Sequence, residues 1–74
     1  MDIELSEFER RIIIAFADND MRIAQVSRMF HYNDATITYH FERVHKRTGL
    51  NPRKFHDLVR LIQYIRAADS GVSS

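Results

Sequence analysis

The sequence predicts a small all-helical (all-α) domain of four helices, and three observations support this fold class. Only two glycines and one proline interrupt the 74 residues. No segment alternates apolar and polar residues, which is the pattern that a half-buried strand requires. Apolar residues recur instead at intervals of three and four, which places them on one face of a helix. We expect one domain over residues 1–69, followed by a tail, residues 70–74, with too little apolar content to fold.

The first two helices have recognisable ends. Ser6 and Glu9 form the S-x-x-E pattern of a capping box, so we expect the first helix to begin at Ser6. The turn Asp18-Asn19-Asp20 ends this helix, because its side chains compete for backbone hydrogen bonds. A second helix is predicted from about Met21 to Met29. The inner faces of these helices are Phe8, Ile12, Ala15 and Phe16, and then Ile23, Val26 and Phe30.

Caps also delimit the third and fourth helices. Asn33 or Asp34 caps the third helix, which ends at Thr48-Gly49, where glycine suits the left-handed residue that closes many helices. Asn51-Pro52 is expected to open the fourth helix, as a cap followed by proline in the first turn. The inward residues of the third helix are Ile37, Phe41 and Val44. The main apolar stripe of the fourth helix is Phe55, Leu58, Val59, Ile62 and Ile65 or Arg66.

The composition disfavours several classes of protein. No apolar run approaches the ~18 residues of a membrane span, and the acidic N-terminus MDIELSEFE is unlike a signal peptide. The chain has no cysteine for a disulfide or a zinc site. It contains no glycine-rich phosphate loop or serine elbow, and it is too short to enclose a substrate. We therefore expect a soluble cytoplasmic protein with no cofactor and no enzymatic activity.

The net charge of +1 conceals a division along the chain. Residues 1–20 contain six acidic side chains and two arginines, for a net charge of about −4. Residues 21–66 contain nine lysines and arginines against three acidic residues, for a net charge of about +6. The second segment has the charge to attract a polyanion such as a nucleic acid. Two ordinary solvated faces would explain the same asymmetry.

The segment from Ile23 to Phe41 has the spacing of two short helices that cross at a tight angle, as in a helix-turn-helix. Ser27 is small enough to let the helices approach, and His31 occupies a turn position that often holds glycine. The residues that would meet at the crossing are Val26, Phe30 and Ile37. We expect a winged-helix or homeodomain-like core of three helices plus a C-terminal helix. Many helical hairpins share this spacing, so the pattern alone is also compatible with a helical hairpin that does not bind DNA.

The second helix of such a pair enters the major groove, and here that recognition helix is residues 33–47. The alternative for its polar outward face is simple exposure to solvent. Asp34 would repel phosphate but can accept a hydrogen bond from cytosine N4, which makes it a specificity element. The residues assigned to the bases are Asp34, Ala35, Thr36 and Tyr39, with Thr38 and Arg43 next, and Asn33 at the start of the helix is also counted as a DNA-binding residue. Those assigned to phosphates are Arg28, Lys46 and Lys54.

Residues 35–52 resemble the C-terminal helix-turn-helix domain of the PucR/CdaR family of bacterial regulators. They contain a T-[LI]-x-Y-x-[LF]-x-R-[IV] core at residues 36–44 and a T-G-L-[DN]-P corner at residues 48–52. The similarity covers about residues 8–66, and AraC-type modules share the corner and the aromatic Phe55. The resemblance implies a transcription factor whose recognition helix runs through Thr36, Thr38, Tyr39 and Arg43.

The chain departs from this family in two respects. At the positions of Asp34 and Ala35 the family more often has a basic residue followed by a residue with an amide side chain. The resemblance therefore implies that this chain prefers different DNA bases or binds DNA more weakly. Family members usually carry a long N-terminal sensory region, which these 74 residues do not include. No small-molecule effector is inferred.

A metal site is not expected from the four histidines. His40 and His45 have the spacing of the two histidines in a zinc finger, but residues five apart on a helix point about 140° away from each other. Without cysteine, no further strong ligand completes a zinc site.

The apolar residues exceed what one stripe on each helix can bury. Ile13 and Ile14 lie off the first helix's inner face, and the fourth helix has a second stripe: Leu61, Tyr64, Ile65 and Ala68. Either a central helix is packed on both sides, or the protein is a homodimer through the first and fourth helices, with recognition helices about 34 Å apart. The alternative function is a protein-interaction module, such as a phage or plasmid modulator of another regulator, anchored by Tyr39 and the second stripe.

Overall fold

The structure, a computed structural model, describes residues 4–73, with the side chains of residues 4–68. Four helices form the described chain: α1 is Glu7–Asp18, α2 is Ile23–Phe30, α3 is Asp34–Thr48 and α4 is Phe55–Ser73. None of the residues from 4 to 73 forms a strand. The all-helical fold class with four helices is therefore confirmed.

The predicted capping box closes the N-terminus of α1. The Ser6 hydroxyl accepts a hydrogen bond from the Glu9 amide at 3.1 Å, and Glu9 Oε1 accepts one from the Ser6 amide at 2.9 Å. Glu9 is only 5% exposed. A buried carboxylate needs a partner, and Arg47 at the end of α3 forms an ion pair with it. One side chain therefore caps α1 and joins α1 to α3.

The turn between α1 and α2 contains two left-handed residues. Asp20 and Met21 adopt φ values of 57° and 59°, so neither can belong to a right-handed helix. α2 accordingly begins at Ile23, two residues later than the predicted Met21, and it ends one residue later than predicted. Asn19 closes α1, since its side-chain amide donates to the carbonyl four residues earlier at 2.8 Å.

α1 lies at the centre of the fold and packs against each of the other three helices. Phe16 of α1 meets Phe41 of α3 edge to face, with ring centroids 4.9 Å apart. Ile13, which lies off the predicted inner face of α1, is fully buried. Of the two explanations for the surplus of apolar residues, a central helix packed on more than one side therefore holds for α1. The buried core is Ile12, Ile13, Ala15, Phe16, Val26, Ile37, Phe41, Val44, Leu58, Leu61 and Ile65.

α3 ends as predicted, but α4 starts later. Gly49 is left-handed, with φ 78°, and closes α3. Asn51 then forms a turn of its own, in which its Oδ1 accepts from the Arg53 amide at 3.0 Å and its carbonyl accepts from the Lys54 amide at 2.9 Å. The Lys54 carbonyl accepts the first helical hydrogen bond of α4. The prediction that Asn51-Pro52 opens this helix is therefore wrong, because Asn51 caps the preceding turn.

α4 faces the core with only part of the predicted main stripe. Leu58, Leu61 and Ile65 are buried, whereas 64% of Phe55 and 37% of Val59 is exposed. The predicted main stripe is wrong at Phe55 and Val59, and two members of the predicted second stripe belong to the core. Both stripes have helical spacing, so the contact with α1 selects between them.

The backbone of α4 is helical as far as Ser73, although residues 70–74 were expected not to fold. The side chains from residue 69 onward, and all of Ser74, lie outside the described residues. The disorder of this tail and the domain boundary at residue 69 stay predictions.

Candidate nucleic-acid interface

α2 and α3 are joined by a compact turn of three residues, 31–33. His31 is left-handed, with φ 61° and ψ 39°, which agrees with its predicted place at a position that often holds glycine. The Tyr32 amide donates to the Ser27 carbonyl at 2.9 Å, which is the six-residue bond of a Schellman motif. Asn33 caps α3, since its Oδ1 accepts from the Thr36 amide at 2.8 Å. Local hydrogen bonds therefore hold the turn at both ends.

A hydrogen bond between Ser27 and Asp34 connects α2 directly to α3. Ser27 is buried, as its small size at the crossing predicted. Its hydroxyl lies 2.5 Å from Asp34 Oδ1, and the other available acceptor, the Ala24 carbonyl, is farther away at 3.0 Å. Asp34 also lies in the first turn of α3, where a negative charge suits the helix dipole. One oxygen of this exposed carboxylate is thus engaged in the fold, and the second is left to bind a ligand.

We expect Ser27→Ala to lower the free energy of unfolding by about 1 kcal/mol, because it removes this bond without leaving a buried group unpaired. Asp34→Ala should lower it at least as much, since it also removes the first-turn charge. The double variant should lose less than the sum of the two, with a coupling of roughly 0.5–1.5 kcal/mol. Urea unfolding followed by circular dichroism measures all three, and strictly additive losses would show that the bond does not stabilise the helix pair.

α3 presents an exposed face on the side opposite its core residues. Ile37, Phe41 and Val44 are buried as predicted. Thr36 and Thr38 are half-buried at the edges of the outward face. The exposed side chains of that face are Ala35, Tyr39, Glu42, Arg43 and Lys46. The predicted orientation of α3 is therefore confirmed, and the DNA contacts stay predictions.

Tyr39 and Arg43 form a pair in the middle of this face. Arg43 Nη1 donates to the Tyr39 hydroxyl at 3.1 Å, and the Arg43 Cζ atom lies 5.7 Å from the centroid of the tyrosine ring. The hydrogen bond to Tyr39 raises the pKa of Arg43 above its ordinary value, so the guanidinium stays charged. A guanidinium has five N–H donors, and Tyr39 uses one. The pair thus holds a cationic fork at the surface with donors left over.

The other predicted contact residues differ in their surroundings. Asn33 and Thr36 bond to each other, since Asn33 Oδ1 also accepts from the Thr36 hydroxyl at 2.8 Å, so they act first as the cap of α3. Arg28, Lys46 and Lys54 are all exposed. Arg28 belongs to α2 and Lys46 to α3, whereas Lys54 precedes α4, which packs on α1. The structure therefore places two of the three phosphate candidates on the helix pair and the third in the segment that joins α3 to α4.

Sequence reasoning missed a groove with charged side chains in its lining, beside the exposed face of α3. This groove has a volume of about 710 Å³ and is lined by the N-terminal segment, the first turn of α1, α3 and α4. His40, Arg43 and Arg47 line it from α3, together with Arg10 and Tyr64. Their spacing of three and four residues was the available signal, because residues at that spacing share one side of a helix. Arg47 is already paired with Glu9, which leaves Arg10 and Arg43 as the groove's arginines without an ion-pair partner among the residues described.

The histidines do not gather into a metal site. No group of three or more potential metal-binding side chains occurs in the described part of the chain. His40 packs instead among aromatic rings, with its centroid 4.9 Å from that of Phe8 and 5.5 Å from that of Tyr39. Within residues 4–73, no helix combines the length and the apolar character needed to cross a membrane.

No family model, curated protein or solved structure matches this chain. The resemblance to PucR/CdaR regulators therefore stays a prediction that rests on the motifs at residues 36–44 and 48–52. The candidate interface is defined by the geometry of α2, the turn and α3.

Proposed function

We propose that this protein binds double-stranded DNA sequence-specifically through α3 and regulates transcription. The observation that supports the proposal is the unit of α2, a three-residue turn with left-handed His31, and α3 with its exposed polar face. α3 has 15 residues and is therefore about 22 Å long. The major groove, about 12 Å wide, admits an α-helix. The proposal implies a cytoplasmic protein, because that compartment holds the DNA of a bacterial cell.

In this proposal the outward face of α3 reads the bases. Ala35 offers its methyl group to the methyl group of thymine, and the second oxygen of Asp34 accepts from cytosine N4. Arg43 has a fork of donors that matches guanine O6 and N7, and Tyr39 holds that fork in place. Thr38 lies at the edge of the same face and can donate or accept. The chemistry of the face therefore favours discrimination between bases.

Affinity in the same proposal comes from contacts with phosphates. Arg28 and Lys46 lie on the two helices of the pair, and Lys54 is exposed in the segment that joins α3 to α4. Neutralising three phosphates with these side chains releases counterions, so the logarithm of the affinity should fall with the logarithm of the salt concentration at a slope of about −2.7.

Fluorescence anisotropy with a labelled pool of random DNA duplexes, at two salt concentrations, tests the proposal. We expect binding that weakens with salt at about the slope given above, and we expect sequencing of the protein-bound DNA to yield an enriched motif. Binding without an enriched motif would contradict sequence-specific readout. No retention at about 50 mM salt would contradict DNA binding altogether and favour the protein-interaction module.

A further inference from the structure

An apolar groove lies between α1 and α4, on surface that the helix pair α2 and α3 does not use. Its volume is about 620 Å³, and its lining residues belong to α1, the turn that follows α1, and α4. Ile14, Phe55 and Val59 are its exposed apolar side chains. Phe55 is the most exposed large apolar side chain of the described residues. A grouped apolar surface of this kind on a small protein indicates an interaction site.

The two ends of this groove carry opposite charges. α1 and α4 run antiparallel. The first turn of α1 shares the groove beside α3 with Ala68 from the later part of α4, whereas Asp18 at the end of α1 shares the apolar groove with Phe55 at the start of α4. Asp18 and Asp20 therefore form an acidic end near Phe55. Arg66, about 16 Å farther along α4, forms a basic end. Over residues 4–68, none of these three charged side chains has an ion-pair partner.

We propose that this groove binds a second copy of the same chain. A two-fold axis through the groove near Val59 brings the acidic end of each copy to the basic end of the other, so the contact between charges forms twice. The apolar side chains then cover one another across the axis. A groove of one charge sign would repel its own copy, whereas this groove is complementary to itself.

The recognition face remains free in this dimer, because no residue of α2 or α3 lines the groove. A standard interface buries about 800 Å² on each partner, and three exposed apolar side chains supply only part of that area. The dimer is therefore weak in free solution. Two linked half-sites on DNA would favour it by raising the effective concentration. The proposal concerns the chain without DNA, so it stands or fails independently of the proposed function.

A charge exchange tests the proposed dimer. Arg66→Glu turns both attractive contacts of the dimer into repulsive ones, and Asp18→Lys cancels the remaining charge of Asp20, so that neither contact stays attractive. Each variant alone should therefore raise the dissociation constant roughly tenfold. An equimolar mixture of the two variants regains attraction at both contacts in the heterodimer. The mixture should therefore associate about as strongly as the unmodified protein, and so should the double variant with itself. Sedimentation equilibrium from low micromolar to millimolar concentration, without DNA, measures all of these.

Glu42→Lys is the matched control, because it changes the net charge as Asp18→Lys does but lies on the exposed face of α3. It should leave self-association unchanged. Circular dichroism shows that each variant keeps its helices, so a folding defect is distinguished from a lost contact. A protein that remains monomeric at millimolar concentration would overturn the proposal, and so would a mixture that fails to regain association.

Discussion

Leu61→Glu is expected to unfold the protein. Leu61 is fully buried in the core, and truncation of a buried leucine already lowers stability by about 2–5 kcal/mol. An unpaired carboxylate in the same place adds several kcal/mol, because no cation of the core is available to pair with it. A domain of 74 residues has a total stability of about 4–11 kcal/mol. The helical circular dichroism signal should therefore fall to that of an unfolded chain at room temperature.

Val59→Glu is the matched control, since it introduces the same charge on the same helix two residues earlier. Val59 is partly exposed, so this variant should lower stability by less than about 1 kcal/mol. Urea unfolding of both variants at low micromolar concentration compares the two positions where self-association does not contribute. The opposite order of stabilities would mean that α4 faces the core with the stripe that contains Phe55 and Val59.

Arg43→Ala is expected to weaken binding to the selected DNA motif roughly tenfold to a hundredfold, which corresponds to the loss of about 1–3 kcal/mol for a bidentate contact with guanine. The side chain is exposed and is held by Tyr39, so its removal should leave the fold unchanged. Anisotropy titrations with the selected duplex and with a scrambled duplex measure the effect. The loss should be larger for the selected duplex.

Two further variants separate base reading from charge. Arg43→Lys keeps the positive charge but lacks the planar fork, so we expect it to retain binding to the scrambled duplex and to lose preference for the selected one. Arg60→Ala removes an exposed arginine from α4, and it should leave the preference for the motif intact. If Arg43→Ala, like Arg60→Ala, weakened binding to the selected duplex and to the scrambled duplex by the same factor, Arg43 would contribute charge alone and not specificity.

Features that depend on neighbouring residues could be predicted from the sequence. The capping box of Ser6 and Glu9, the left-handed closure at Gly49 and the left-handed turn at His31 were all expected, and all are present. Each arises from residues within a few positions of one another, so the pattern contains the information. The same holds for the exposed face of α3, because three strongly apolar residues at helical spacing define its opposite side.

Even so, some local features were missed. The start of α2 was placed two residues early, because the left-handed conformations of Asp20 and Met21 have no glycine to signal them. The turn at Asn51 resembled the beginning of a helix, since asparagine and proline are common both in turns and at helix N-termini. Both errors concern boundaries, and neither changes the number of helices or the face that α3 exposes.

The sequence by itself therefore determined the helical class, the number of helices and the exposed face of α3. Only the tertiary structure decided which side of α4 is buried, because two stripes of equal spacing compete and the contact with α1 chooses Leu58, Leu61 and Ile65. It also decided the partner of Glu9, since Arg47 is 38 residues away in the chain. Helical periodicity specifies which residues share a face, but burial depends on what packs against that face.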